Sequence, residues 1–173
     1  RAGSGGARLG TVRLVLRAEA FDPATVALQP FQVALCIGST HAAHGLRPAL
    51  AALHGLLAPG GLALVGEGLW ERPPDPAYLA FLGDAPDSLL DHDGNLAAAR
   101  AAGFEVVDAR VTPRPAFDRY EERYAANIER FAARHPDDPD APAFLQRIRA
   151  WREAYLRWGR TTMGFALYVL RRR

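Results

Sequence analysis

The chain has 173 residues, 49% of them hydrophobic, which predicts one globular domain with a real core. No apolar run approaches the about 20 residues of a membrane span, and the net charge of +2, from 21 basic and 19 acidic residues, is too even to argue for nucleic acid. A single cysteine excludes an internal disulfide and fits a reducing cytoplasm. There is no lysine, and the closing Arg171, Arg172 and Arg173 read as a solvated tail. The first residue is Arg1 and no secretory signal is visible, so the chain is expected to be a fragment or a processed product.

The opening residues 1–10 are small and glycine-rich. A phosphate-binding glycine loop would have to follow a strand and open a helix, whereas Gly3, Gly5, Gly6 and Gly10 stand before a strand. That strand is 11–21, where Val12, Leu14 and Leu16 alternate with polar residues. A short helix is expected at 23–28. FQVALCI at 31–37 is nearly all apolar, as expected of a parallel strand covered on both faces. Residues 46–57 put Leu46, Leu50, Leu53 and Leu57 on one helical face, and Gly60-Gly61 stops that helix. LALVGE at 62–67 is the next buried strand. Helices are expected at 75–82 and 94–102, and a strand at 104–111. Helix 117–135 aligns Tyr120, Tyr124, Ile128 and Phe131. Pro136, Pro139 and Pro142 break it. Helix 143–160 aligns Phe144, Ile148, Trp151, Tyr155 and Trp158, and is expected to pack antiparallel to the helix before it. Strand 164–170 closes the chain. Aromatic stripes at this spacing are expected to be mostly packing, with one or two tips reaching a pocket.

Strand, helix, strand over 31–67 is a βαβ unit, whose crossover is expected to be right-handed. Ligands of open α/β sheets bind past the carboxyl ends of the strands. The loop 38–45 and the segment 67–70 both stand at such ends.

Phe31-Gln32, His41, the Leu57-Ala58-Pro59-Gly60-Gly61 turn and the strand closing on Glu67 resemble the central region of the Class I S-adenosylmethionine-dependent methyltransferases. Glu19-Ala20 resembles the acidic-Ala pair after that family's third strand. AAGFEVVDARV is similar to its entry into the sixth strand, and GFALYVLRR to its antiparallel seventh. GEGLWERPP and the late Trp-rich segment resemble a bacterial subgroup. The resemblance implies a Rossmann-like α/β sheet lacking its N-terminal strands, with a two-helix insertion before the last antiparallel strand. Residues 1–173 would form a single partial domain: 1–70 a cofactor-side region, 71–115 helices and a sixth-strand equivalent, 116–161 a helical lid, 162–173 the last strand. The glycine-rich first motif has no counterpart, and Gln32 stands where the family has Asp. The sheet is expected to have an open edge, which a second copy of the chain would cover.

The resemblance implies S-adenosylmethionine as cofactor, touched by Glu19, Ala20, Ile37, Gly38 and Ser39. Glu19 is otherwise an exposed strand-end carboxylate. Methyl transfer needs both partners positioned and, for some nucleophiles, a proton removed. His41 suits that second task, since imidazole titrates near neutrality; the alternative is a loop histidine bonded to a backbone carbonyl. Glu67 and Trp70, with Tyr124, Tyr155 and Trp158 from the lid, would face a small organic acceptor. The alternatives are Glu67 paired with an arginine such as Arg72, and Trp70 merely packed. His41, His44 and Cys36 do not make a metal site, because Cys36 lies in the strand and nothing completes a tetrahedral set. The expected function is methyl transfer to a small molecule, impaired in this chain. A non-catalytic partner-binding remnant and a nicotinamide-dependent oxidoreductase are the other readings. Neither nucleic acid nor membrane is an expected partner.

Overall fold

The computed structural model describes residues 30–173. The expected strand 11–21, helix 23–28, Glu19 and Ala20 lie outside the described residues. Four strands form one mixed sheet: β1 (Phe31–Ile37), β2 (Leu57–Trp70), β3 (Phe104–Val111) and β4 (Met163–Arg172), in the spatial order β1-β2-β4-β3. β1 is parallel to β2, and β4 is antiparallel to both β2 and β3. The last strand of the chain is therefore inserted between two strands that run the other way.

Helix α1 (Leu46–Leu56) links β1 to β2. Its buried Leu50 and Leu53 meet the sheet through Ala63, Val65 and Leu69. Burying each such leucine contributes about 1.5–3 kcal/mol. β2 is longer than the expected 62–67, because Leu57 already pairs with Phe31 before Val33 pairs with Leu62. The Pro59-Gly60-Gly61 turn is the extra chain between those pairs. A Cβ on Gly61 would lie 2.9 Å from the Ala58 carbonyl oxygen and 3.1 Å from that of Phe31. Both obstacles are backbone and cannot turn aside.

Helices α2 (Pro76–Leu82) and α3 (His92–Ala101) are each opened by an aspartate. Asp75 accepts from the Ala77 N–H at 2.7 Å, and Asp91 from the Gly94 N–H at 2.7 Å. α3 lies beside α1 on one face of the sheet and buries Ala98 and Ala99 there. On the other face a second cluster gathers Trp70, Tyr78, Leu79 and Ala154.

Helices α4 (Arg114–Arg134) and α5 (Ala141–Ala154) form a hairpin. Trp151 bonds Glu121 and Tyr155 bonds Asp118, so a later residue on one helix meets an earlier one on the other. That pairing is antiparallel, as expected. The stripe on α4 is displaced, however. Phe117, Glu121, Ala125 and Ala132 are buried, while Tyr120, Tyr124 and Phe131 are exposed. The expected aromatic stripe of Tyr120, Tyr124 and Phe131 therefore faces outward rather than into the core. Glu121 faces inward because its carboxylate accepts from Trp151 Nε1 at 2.8 Å. The expected single helix 143–160 also changes character: Tyr155–Gly159 is a π-helical turn before Arg160–Thr162. Such turns occur mostly as single-turn bulges at sites that function constrains.

Gly61→Ala is expected to cost about 1–3 kcal/mol through overpacking against fixed backbone. Gly55→Ala in α1, where a Cβ meets nothing, is expected to gain about 0.5–1 kcal/mol. Urea unfolding midpoints of the two variants check the opposite signs.

Candidate functional site

The carboxyl ends of β1 and β2 lie side by side. β1 ends at Gly38, whose N–H still donates to the Gly66 carbonyl at 2.9 Å. The φ of Gly38 is 64°, a left-handed value that glycine adopts without a Cβ penalty. Nothing lies within 4 Å of where its Cβ would stand. Ser39 is exposed, with its Oγ 3.5 Å from the half-buried Cys36 Sγ. The chain then makes a 3-10 turn over Thr40–Ala43, with Thr40 buried and His41 exposed.

Glu67 stands on the neighbouring strand and is 8% exposed. Its Oε1 accepts from the Gly68 N–H at 3.1 Å, whereas Oε2 has no partner. Burial pushes its carboxyl above the ordinary range. The Thr40 hydroxyl, the Gly68 N–H and the charge of His41 oppose that shift, in decreasing order. Thr40 and His41 thus both act on this carboxyl, and the turn and the strand end share one location. Among the described ion pairs none involves Glu67. The arginine pairing instead belongs to Glu71, which binds Arg114 at the start of α4.

Two further residues complete a polar cluster that sequence reasoning missed. Asn95 Nδ2 donates to the Gly68 carbonyl at 3.3 Å and to the Tyr168 hydroxyl at 3.1 Å. His92 Nδ1 lies 3.3 Å from that same hydroxyl. Burial pushes the Tyr168 phenol up, against the Asn95 bond, and the Glu67 and Asp91 charges add to the rise. Asn95 precedes Ala98 and Ala99 by three and four positions, so helical spacing places it on their buried face. Tyr168 alternates with the buried Ala166 and Leu170. Those two periodicities were the available signals.

The expectation that one acceptor pocket joins Glu67 to Trp70 and the lid aromatics is corrected. Trp70 lies three residues beyond Glu67 on the same strand, so the two side chains leave opposite faces of the sheet. Trp70 is buried against Tyr78 at a ring distance of 6.3 Å, and its Nε1 donates to the Pro86 carbonyl at 3.1 Å. Trp158 stacks on Tyr78 at 5.9 Å. Tyr155 is buried nearby and donates to Asp118 at 2.7 Å, and burial and that bond push its phenol up to about 12. These three aromatics pack around Tyr78, away from the Glu67 face. Tyr124 lies half open on the hairpin, in a groove of about 280 Å³ that includes Phe144 and Trp151. Ile37 is 49% exposed on the face opposite Glu67, against Gly66. Among the described residues, no three His, Cys, Asp or Glu side chains group as metal ligands, and no helix is long and apolar enough to cross a membrane.

An antiparallel strand inserted between parallel neighbours at the end of a Rossmann-like sheet defines the class I S-adenosylmethionine-dependent methyltransferase fold, and this chain has it. No family model matches the sequence. The chain is 27% identical over 147 residues to the uncharacterized protein YjhP of Escherichia coli, covering 84% of this chain and 59% of YjhP. Its structure is similar to an S-adenosylmethionine-dependent methyltransferase of Geobacter sulfurreducens in complex with S-adenosylhomocysteine, at a TM-score of 0.74, 25% identity and coverage of 86% and 60%. A Thiobacillus denitrificans methyltransferase in the same type of complex gives 0.72, 26%, 86% and 60%. The chain spans about three-fifths of the length of these relatives.

With its pKa raised in the folded state, Glu67 holds its proton more tightly there than in the unfolded chain. Its contribution to stability is complete below the ordinary carboxylate range and is lost as pH rises through the raised value. Glu67→Gln is therefore expected to raise the thermal midpoint at pH 7, with the gain vanishing below about pH 4. Calorimetric scans across that range test this; a gain that does not vary with pH contradicts it. Tyr155→Phe is expected to cost about 1.5–3 kcal/mol, the worth of a hydrogen bond to a charged group, read from chemical unfolding.

Proposed function

We propose that this chain carries part of a methyltransferase that uses S-adenosylmethionine to methylate a small organic acceptor in a reducing cytoplasm. The observation that carries the reading is the meeting of the His41 turn with Glu67 at the carboxyl ends of β1 and β2. That is where open α/β sheets hold ligands. Similarity to methyltransferases supports the type of reaction.

S-adenosylmethionine, when bound, supplies a methyl group on a sulfonium centre. Gly38 and Ser39 are the described residues that would hold it. They fit, because the Gly38 backbone is unscreened by any side chain and has open space beside it. Glu19 and Ala20 would act with them. His41 would take the proton that the acceptor loses. Its exposure leaves the imidazole free to reach a ligand and to pass the proton on to water. Glu67 would orient the acceptor from the buried side. The hairpin is anchored to the end of β2 through Arg114 and Glu71, on the side of the Trp70 cluster rather than on the Glu67 face.

A second reading rests on a separate observation. On β1, Val33 is 56% exposed, Leu35 66% and Ile37 49%. β1 carries no charge and no proline, the usual guards of an edge strand. A second copy of the chain would cover that face, in a non-catalytic partner-binding role.

Titration calorimetry with S-adenosylhomocysteine separates the readings. Saturable heat is expected. A folded chain that gives none, and whose mass by light scattering is that of an oligomer, favours the partner-binding role. In the active protein, His41→Ala is expected to slow turnover about 10²–10⁴-fold while leaving S-adenosylhomocysteine affinity unchanged. Equal loss of both would remove the base assignment.

A further inference from the structure

Among the described residues, Glu67 Oε2 and Asn95 Oδ1 are the buried side-chain atoms without a hydrogen-bond partner. Asn95 is 2% exposed and Glu67 8%. Buried polar atoms are almost always satisfied, so an orphan marks a missing partner. The two residues form one construction. Glu67 Oε1 takes the Gly68 N–H, and Asn95 Nδ2 gives to the Gly68 carbonyl. Both side chains thus grip the same residue from its two polar ends. Asn95 Nδ2 has also met the Tyr168 hydroxyl. What remains is purely accepting: one carboxyl oxygen and one amide oxygen. No arginine is paired with Glu67 among the described ion pairs, and the chain has no lysine.

We propose that Glu67 Oε2 and Asn95 Oδ1 together recognise an ammonium group, so that the methyl acceptor is an amine. The second half of this statement rests on the methyltransferase reading above. An ammonium brings three N–H donors and a positive charge, which match two acceptors and a carboxylate. An alcohol brings one donor and leaves an oxygen unpaired. A carboxylate or phosphate brings none and meets like charge. The cover over Oε2 is the turn that carries Thr40, whose hydroxyl acts on this carboxyl but completes no hydrogen bond to Oε2. The turn is held without a side-chain cap and lies between left-handed residues, Gly38 at φ 64° before it and His44 at φ 63° and Gly45 at φ 113° after it. Transfer to an amine balances without a further reagent. The bound ammonium gives one N–H proton to His41, the freed nitrogen pair forms the new N–C bond to the methyl carbon, and the C–S pair stays on the departing sulfur.

Recognition is linked to pH. Burial favours the neutral Glu67 carboxyl, and an ammonium favours the ionised one, so binding releases the Glu67 proton. The titratable groups that act on this carboxyl are His41 from the turn and Tyr168 from β4; Asp91 and His92, at the start of α3, act on Tyr168.

The test uses benzylamine, benzyl alcohol and benzoate, which differ only in the head group, on the chain labelled with carbon-13 at its glutamate carboxyls. Benzylamine is expected to bind at least tenfold more tightly than either of the others. It is expected to move the Glu67 resonance to its ionised position and to leave buried Glu121 unmoved. Below the Glu67 midpoint, affinity is expected to rise tenfold per pH unit. Glu67→Gln, which identifies the resonance, is expected to erase the preference. Equal binding of the three probes overturns the proposal without any variant, and so does benzylamine binding that leaves in place the resonance identified through Glu67→Gln. Binding of S-adenosylhomocysteine without any amine preference removes the ammonium site and keeps methyl transfer. An amine preference without S-adenosylhomocysteine binding keeps the ammonium site and removes methyl transfer.

Discussion

The pairing of β2 with β4 is the constraint on which the rest depends. Nine successive residues, Leu62 to Trp70, pair with Arg171 back to Met163 without interruption. The other edge of β2 carries the parallel ladder to β1, and the far edge of β4 carries β3. Each half of the sheet reaches the other only through this seam. Side chains alternate along a strand, so a slip of one residue would exchange the faces of the whole strand. It would take Glu67 out from beneath Thr40 and drive Trp70 into the α1–α3 side. Gly66 and Gly68 help to forbid that slip. The space beside Gly66 is filled by Ile37 and Phe165, and that beside Gly68 by Leu89. A strand shifted by one would bring Val65, Glu67 or Leu69 against those neighbours. The register that places the candidate site is thus set by steric fit on the face opposite to it.

Much of this was legible. The apolar run of β1, the leucine spacing of α1 and the alternation in β3 and β4 each encode an element directly, but the cover expected on both faces of β1 is not found: it is the outermost described strand, and Val33, Leu35 and Ile37 are exposed. The resemblance to the methyltransferase family implied that the last strand is antiparallel. His41 and Glu67 were legible as strand-end residues because a parallel pair brings its carboxyl ends together. Trp70 was misplaced although the rule that places it was available, since an odd spacing from Glu67 on a strand means the other face. The displaced stripe on α4 was harder. Glu121 is buried through a partner thirty residues away, Trp151, and no local pattern encodes such a pairing. The π-helical turn at Tyr155–Gly159 was hidden for a similar reason. A Cβ on Gly159 would lie 2.6 Å from the Tyr78 hydroxyl, so the turn fits a neighbour far away in sequence.

The α4–α5 hairpin and the sheet communicate through polar contacts as well as packing. Arg114, in the first turn of α4, donates to the Met163 carbonyl at 2.9 Å and pairs with Glu71. It thereby ties α4 to the start of β4 and the end of β2 together. One turn further on, Asp118 accepts from Tyr155 and from both Nε and Nη2 of Arg160. The Tyr155 and Arg160 bonds hold its carboxyl below the usual range, in the direction opposite to Glu67. Asp118 is therefore charged and engaged, a fixed joint between α4 and the end of α5. The hairpin is fastened at the end nearest the candidate site, while its far end carries the exposed Phe131 and Phe144.

The two buried glutamates among the described residues show how environment separates residues of one type. Burial raises the pKa of both, and each has a neighbour that opposes the shift. Glu121 has found a permanent donor in Trp151, and its role ends at joining two helices. Glu67 uses one oxygen on its own strand and leaves the other unpaired beneath a short turn, next to a histidine. A carboxyl kept for structure alone gains by satisfying both oxygens, because each unpaired buried acceptor costs about 1–3 kcal/mol. The cost is tolerated at the carboxyl end of a parallel strand and at no other described carboxyl. Strain and unpaired polarity concentrate where a fold meets its ligand, and Glu67, unlike the carboxylates of the aromatic hairpin, carries that unpaired polarity.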